Sequence, residues 1–123
     1  MSEPLVSVII GTYNREAFIE ETLAGVIAQT FDAYEIIVVD DASTDRTLEI
    51  LRGYGDRIRL IERKTNSGTA DVPRYQAVEA ARGSYCALLD SDDLWKPDKL
   101  ARQIEFMQSH PEIELSHTYM EII

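Results

Sequence analysis

A single cysteine in 123 residues leaves nothing to pair with inside the chain, so no internal disulfide forms. That suits a reducing compartment. Cys86 lies within an apolar run and reads as a small core residue. Positive charge is also scarce. Twelve lysines and arginines stand against 22 acids, for a formal net charge of −10. A surface this acidic argues against nucleic acid as a partner, because phosphate backbones are bound by basic faces. It argues equally against docking on anionic lipid. No apolar run approaches the ~18 residues that span a bilayer, and no basic-then-apolar leader opens the chain. The chain therefore reads as soluble and cytoplasmic. Gly-x-Gly-x-x-Gly and P-loop patterns are missing, as are internal repeats and low-complexity segments. His110 and His117 stand alone, and no Ser-His-Asp or Cys-His arrangement suggests a nucleophile.

What is present is an ordinary globular composition, 45% apolar and 28% charged, at the length of one domain. "LVSVII" (5–10), "EIIVV" (35–39), "IRLI" (58–61) and 85–89 are short β-branched or apolar runs that read as buried strands. Between them lie helical patterns. Asn14 reads as the cap of the first, with Ile19, Leu23, Val26 and Ile27 on one face. Ser43 or Thr44 reads as the cap of the second, with Leu48, Leu51 and Tyr54 as its stripe. Pro73 suits the first turn of the third, which Gly83 ends. Pro97 opens the fourth, with Leu100, Ile104 and Met107 as its stripe and His110-Pro111 as its stop. Residues from Ile113 onward read as a fifth strand. This alternation predicts a mostly parallel α/β sheet with helices on both faces. Ligands of such sheets bind outside the carboxyl ends of the strands.

Three strand ends carry polar clusters: Gly11-Thr12-Tyr13-Asn14, Asp40-Asp41, and Asp90-Ser91-Asp92-Asp93. Carboxylates at i and i+2, Asp90 and Asp92, can converge on one hard cation, Mn²⁺ or Mg²⁺. The plainer reading is a turn that caps the next helix. Asp40-Asp41 can accept from a base or a ribose, or simply cap a turn. Tyr13 offers a ring to stack on a base. Arg74 can reach a phosphate or make a surface ion pair. Trp95 reads as a wedge between the strand end and the fourth helix.

Taken together, "VSVIIGTYNRE", "EIIVVDDASTD" and "CALLDSDDLWKPDKL" resemble the donor half of a family 2 glycosyltransferase of the GT-A type. The resemblance runs from Leu5 to about Pro111. It implies a Rossmann-like domain over residues 1–123, cut before the acceptor-binding half of a longer enzyme. It implies that Gly11, Thr12, Tyr13 and Asn14 line the nucleotide pocket. Asp41, with Asp40 beside it, would contact the pyrimidine. Asp90 and Ser91 would lie at the nucleotide, and Asp90 and Asp92 would hold the metal. Arg74 would help hold the nucleotide, within a stretch that departs from the family pattern. The usual Asn-x-Gly-x-x-x-Ala-Arg-Asn appears as Asn66-Ser-Gly68-Thr-Ala-Asp-Val-Pro-Arg74-Tyr75, one residue longer.

The implied reaction is inverting transfer of a sugar from a nucleotide diphosphate, UDP before dTDP or GDP, to an acceptor hydroxyl. The acceptor would be a saccharide or lipid-linked saccharide, and the full-length enzyme could work at the membrane periphery. No catalytic base is named within the chain; the resemblance puts it beyond residue 123, so the chain alone would have little activity. Asp93 is a poor candidate, being placed in the next helix's first turn. An open edge and uncovered apolar residues would favour homo-oligomers. Competing readings are a receiver-like Mg²⁺-binding module, a non-catalytic interaction domain and a nucleotidyltransferase. A receiver would gather acids from the first and third strands and need a lysine after the fifth; a nucleotidyltransferase would need a Gly-rich basic loop after the first strand.

Overall fold

The computed structural model describes residues 4–90 and 95–109. Four strands, β1 (Val6–Thr12), β2 (Tyr34–Asp40), β3 (Arg59–Glu62) and β4 (Tyr85–Asp90), alternate with α1 (Ile19–Ile27), α2 (Thr47–Arg52), α3 (Asp71–Ala80) and α4 (Lys99–Ser109). All strand pairs are parallel, in the order β3-β2-β1-β4. The expected α/β class and mostly parallel sheet are both found. The expected fifth strand, the His110-Pro111 stop and the Met107 side chain lie outside the described residues.

Continuous β-branched runs make β1 and β2 the buried centre of the sheet, as strands covered on both faces require. Val6, Val8, Ile10, Ile36, Val38, Ala87 and Leu89 point to one face. There they pack with Ile19 and Leu23 of α1, Leu51 of α2, Trp95, and Leu100 and Ile104 of α4. Ile9, Ile37 and Val39 point to the other face, where Ala77 of α3 covers them. Helices thus lie on both faces. The chain steps from β1 to β2 to β3 with α1 and α2 on one side, then returns over α3 to place β4 against the free edge of β1. That reversal makes the β1–β4 seam the switch point of the sheet.

Several local expectations change. Gly11 and Thr12 extend β1 instead of turning, because both pair with β2 and Gly11 also pairs with Asp90. Asn14 does not cap α1, which starts five residues later at Ile19, with Phe18 at the cap position and no side-chain cap. Asp45, not Ser43 or Thr44, meets α2: its Oδ1 accepts from the N–H and hydroxyl of Thr47. Gly83 lies beyond the end of α3. A Cβ there would sit 2.8 Å from the Ser7 nitrogen and the Val6 carbonyl carbon, so glycine is required by close approach. Ile27 is 43% exposed, at the edge of the α1 core stripe. Cys86 is exposed rather than buried. It points to the α3 face of the sheet, where α3 packs chiefly on β1 and β2. Leu88, two residues on, is exposed for the same reason.

Candidate functional site

The carboxyl ends of β1 and β2 open on a cleft of about 480 Å³. Gly11, Thr12, Tyr13 and Arg15 form one side of it, Asp41 lies at the β2 end, and Asn66 to Ala70, Pro73 and Arg74 close the other side. Of the expected pocket residues, Gly11, Thr12, Tyr13, Asp41 and Arg74 line this cleft together. Tyr13 is 41% exposed. Gly11 packs closely here: a Cβ would sit 3.3 Å from the Pro73 ring. That approach seats the start of α3, and with it Arg74, against β1.

Asn14 and Asp40 are not among the lining residues; both build the scaffold behind the cleft. Asn14 adopts φ 52°, a conformation asparagine tolerates. Its Oδ1 accepts from the Thr44 nitrogen at 2.8 Å, and its Nδ2 donates to the Thr44 hydroxyl at 3.1 Å. Asp40 is fully buried and accepts from the nitrogen and hydroxyl of Ser43. Here the capping-turn reading describes what the carboxylate does. Between the two acids, Ala42 is held at φ 62°. For a residue with a Cβ that conformation costs about 1 kcal/mol.

Asp41 is held differently. Its residue is 3% exposed. Oδ1 accepts from Arg63 Nε at 2.9 Å and from the Ser67 nitrogen at 3.1 Å; Oδ2 accepts from the Ser67 hydroxyl at 2.7 Å. Asn66 Nδ2 donates to the Asp41 carbonyl. Sequence reasoning missed Arg63 and Ser67. The parallel register pairs Asp40 with Glu62, so the next residue, Arg63, arrives beside Asp41. The available signal was an arginine just past a strand in an acid-rich chain.

One buried atom in the cleft wall has no partner. Thr12 Oγ1 is shielded from solvent and makes no hydrogen bond among the described residues. Trp95 Nε1 is the other such atom. Trp95 itself is buried in the core at the start of the α4 segment, as a wedge should be. That segment is tied down by Gln29, which donates to the Lys96 carbonyl and accepts from the Leu100 nitrogen.

β4 ends at Asp90, whose backbone pairs with Gly11 and so lies at the cleft's rim. The Asp90 side chain, Ser91, Asp92 and Asp93 lie outside the described residues. Among the described residues no group of three acids, histidines or cysteines gathers for a metal. The composition of the segment does fit one: carboxylate oxygens are what a hard divalent cation takes. A larger groove, about 630 Å³, runs between α1 and the α2 segment, away from the strand ends.

The family profile described as Glycosyl transferase family 2 matches residues 7–121. The chain belongs to this family. It is 49% identical over 108 residues to TuaG of Bacillus subtilis (strain 168), provisionally named a teichuronic acid biosynthesis glycosyltransferase; the match covers 85% of this chain and 42% of TuaG. The fold agrees with Staphylococcus aureus TarS 1-349 in complex with UDP-GlcNAc. There the TM-score is 0.81 at 36% identity, over 86% of this chain and 32% of the other. It agrees also with the mannosyltransferase PcManGT of Pyrobaculum calidifontis in complex with GDP-Man and Mn²⁺. That match has TM-score 0.76 and 31% identity, over 87% and 33% of the two chains. The family 2 resemblance and the GT-A fold are therefore established. The chain spans about two fifths of the length of TuaG. No helix among the described residues is long and apolar enough to cross a membrane.

Proposed function

We propose that residues 1–123 form the donor-binding domain of a glycosyltransferase that uses a uridine-diphosphate sugar. The observation that carries the reading is the cleft at the carboxyl ends of β1 and β2, lined by Thr12, Tyr13, Asp41 and Arg74. In this reading the Tyr13 ring stacks on the base and Asp41 accepts a hydrogen bond from it. Arg74, at the start of α3, helps hold the nucleotide. Asn14 and Asp40 act indirectly, by holding the loops that carry these groups. The nucleotide-sugar complexes of TarS and PcManGT support the ligand class.

Asp90 and Asp92 are the residues that would hold Mn²⁺ or Mg²⁺, with Ser91 between them. When bound, the ion neutralises charge on the donor diphosphate, which explains how so acidic a chain can bind an anion. The transfer proposed is displacement at the anomeric carbon, with inversion, by an acceptor hydroxyl. That hydroxyl needs a general base, which this reading assigns to the part of the relatives that the chain does not span. The acceptor, a saccharide or lipid-linked saccharide, would bind there too.

Calorimetric titration with UDP in Mn²⁺, in Mg²⁺ and in EDTA tests the proposal, with Asp92→Ala alongside. Binding that requires the metal and is lost in Asp92→Ala is the expected result. UDP binding of equal strength in EDTA would remove the metal from the account, and no nucleotide binding would remove the donor reading.

A further inference from the structure

We infer that Arg63 is a positioning residue that makes Asp41 a reader of the nucleobase, selecting bases that present one N–H donor at ring position 3. The inference rests on the nucleotide reading of the cleft given above. An ionised carboxylate has about four acceptor positions. Three donors already hold Asp41: Arg63 Nε on Oδ1, the Ser67 hydroxyl on Oδ2, and the Ser67 nitrogen, shared between Oδ1 at 3.1 Å and Oδ2 at 3.3 Å. One of the four positions is left for a ligand. Asp41 also lines the cleft, so a ligand there meets a single fixed acceptor.

That arrangement discriminates. Uracil carries one N–H at position 3 and satisfies the acceptor. Cytosine carries a bare lone pair at the same position and would oppose it. Guanine presents two adjacent donors, which need both carboxylate oxygens free. A wrong base leaves a buried acceptor unpaired, which is where strong selectivity comes from.

Arg63 fixes the direction of that acceptor. Its Nη1 donates to Gln76 Oε1 of α3 at 2.8 Å while its Nε holds Asp41. The guanidinium thus spans two elements with a planar fork that an ammonium cannot copy. The Arg63 side chain is 26% exposed and the Asp41 side chain 4%, so the clasp is sheltered from competing water.

UDP, CDP and GDP are titrated calorimetrically, in Mn²⁺, into the protein and into Arg63→Lys, Arg63→Met and Asp41→Asn, with thermal melting of each. The unsubstituted protein is expected to bind UDP at least about tenfold more tightly than CDP or GDP. Arg63→Met and Arg63→Lys should each lose about tenfold for UDP and little for CDP, so the ratio collapses. Asp41→Asn should turn the preference toward CDP. Its amide oxygen keeps Arg63 and the Ser67 nitrogen, while its NH₂ faces Ser67 Oγ and the cleft. Equal weakening of all three nucleotides in the Arg63 variants, with the ratio kept, would overturn the inference, as would equal UDP and CDP affinity in the unsubstituted protein. That last result leaves the donor reading standing, whereas no nucleotide binding at all overturns both. Should Arg63→Met fail to fold, Arg63→Lys and Asp41→Asn still decide the matter.

Discussion

Strand β1 carries a buried hydroxyl near each end, and the two are used in opposite ways. At the amino end, Ser7 Oγ donates to Glu35 Oε2 at 2.6 Å and accepts from the Gly83 nitrogen at 2.8 Å. At the carboxyl end, Thr12 Oγ1 is equally buried and has no partner among the described residues. The carboxylates beside them repeat the contrast. Glu35 is clasped by Arg59 at 2.8 Å, by Ser7 and by the Arg82 nitrogen, and it lines neither of the two large clefts. Asp41 is clasped by Arg63 and Ser67 but opens on the cleft. The same device, an acid gripped by an arginine and a serine, closes the sheet at one end and leaves an unfilled place at the other. In the proposed reading, the carboxyl end, where Asp41 opens on the cleft, is the end that receives the donor.

The contrast can be broken from either end. Gly83→Ala is expected to have the largest effect on stability, about 3 kcal/mol by the usual cost of overpacking, since its Cβ would press on the β1 backbone. Urea unfolding would read this as a lower midpoint, with nucleotide affinity unchanged in the folded fraction. Ser7→Ala should cost about 2 kcal/mol, because it strips a buried partner from Glu35 and from the Gly83 nitrogen. Thermal melting would show the loss, and an unchanged melting point would contradict the idea that this end is a structural lock.

Acid should expose the same lock. Burial pushes the Glu35 carboxyl up, but the hydrogen bonds from Ser7, the Arg82 nitrogen and Arg59, with the Arg59 charge, outweigh it and hold it below its ordinary 4.5. A lowered native value means that the unfolded chain takes up the proton first. The stability contributed is therefore full above 4.5 and is lost as pH falls through the lowered native value. Melting curves across that acid range should fall for the unsubstituted protein and be flatter for Glu35→Gln. Thr12→Val should have the smallest effect on stability, within about 1 kcal/mol and toward greater stability, because it removes a buried hydroxyl that nothing among the described residues satisfies.

Much of this was legible in the sequence. Runs such as Val8-Ile9-Ile10 and Ile36 to Val39 can be little else than strands buried on both faces, and their alternation with helical patterns set the sheet. The strand-end clusters marked the right edge of it. What stayed hidden depended on register and on cover. Gly11-Thr12 looks like a turn until β2 is laid beside it. Asn14 looks like a cap until the loop after β2 folds back to meet its side chain. Cys86 and Ile27 are apolar residues in apolar runs, and only the reach of α3 and the width of the α1 stripe put them outside. Arg63 is invisible as a clasp until β3 is set parallel to β2.

Backbone amide shifts followed by NMR during a titration with UDP and Mg²⁺ would test the central claim most directly. The account predicts that shifts concentrate at Gly11 to Tyr13, Asp41 and Ser67 to Thr69, while Ser7, Glu35 and Gly83 at the opposite end stay still. Shifts confined to the groove between α1 and α2, at Ala24, Ile27 and Ile50, would contradict it.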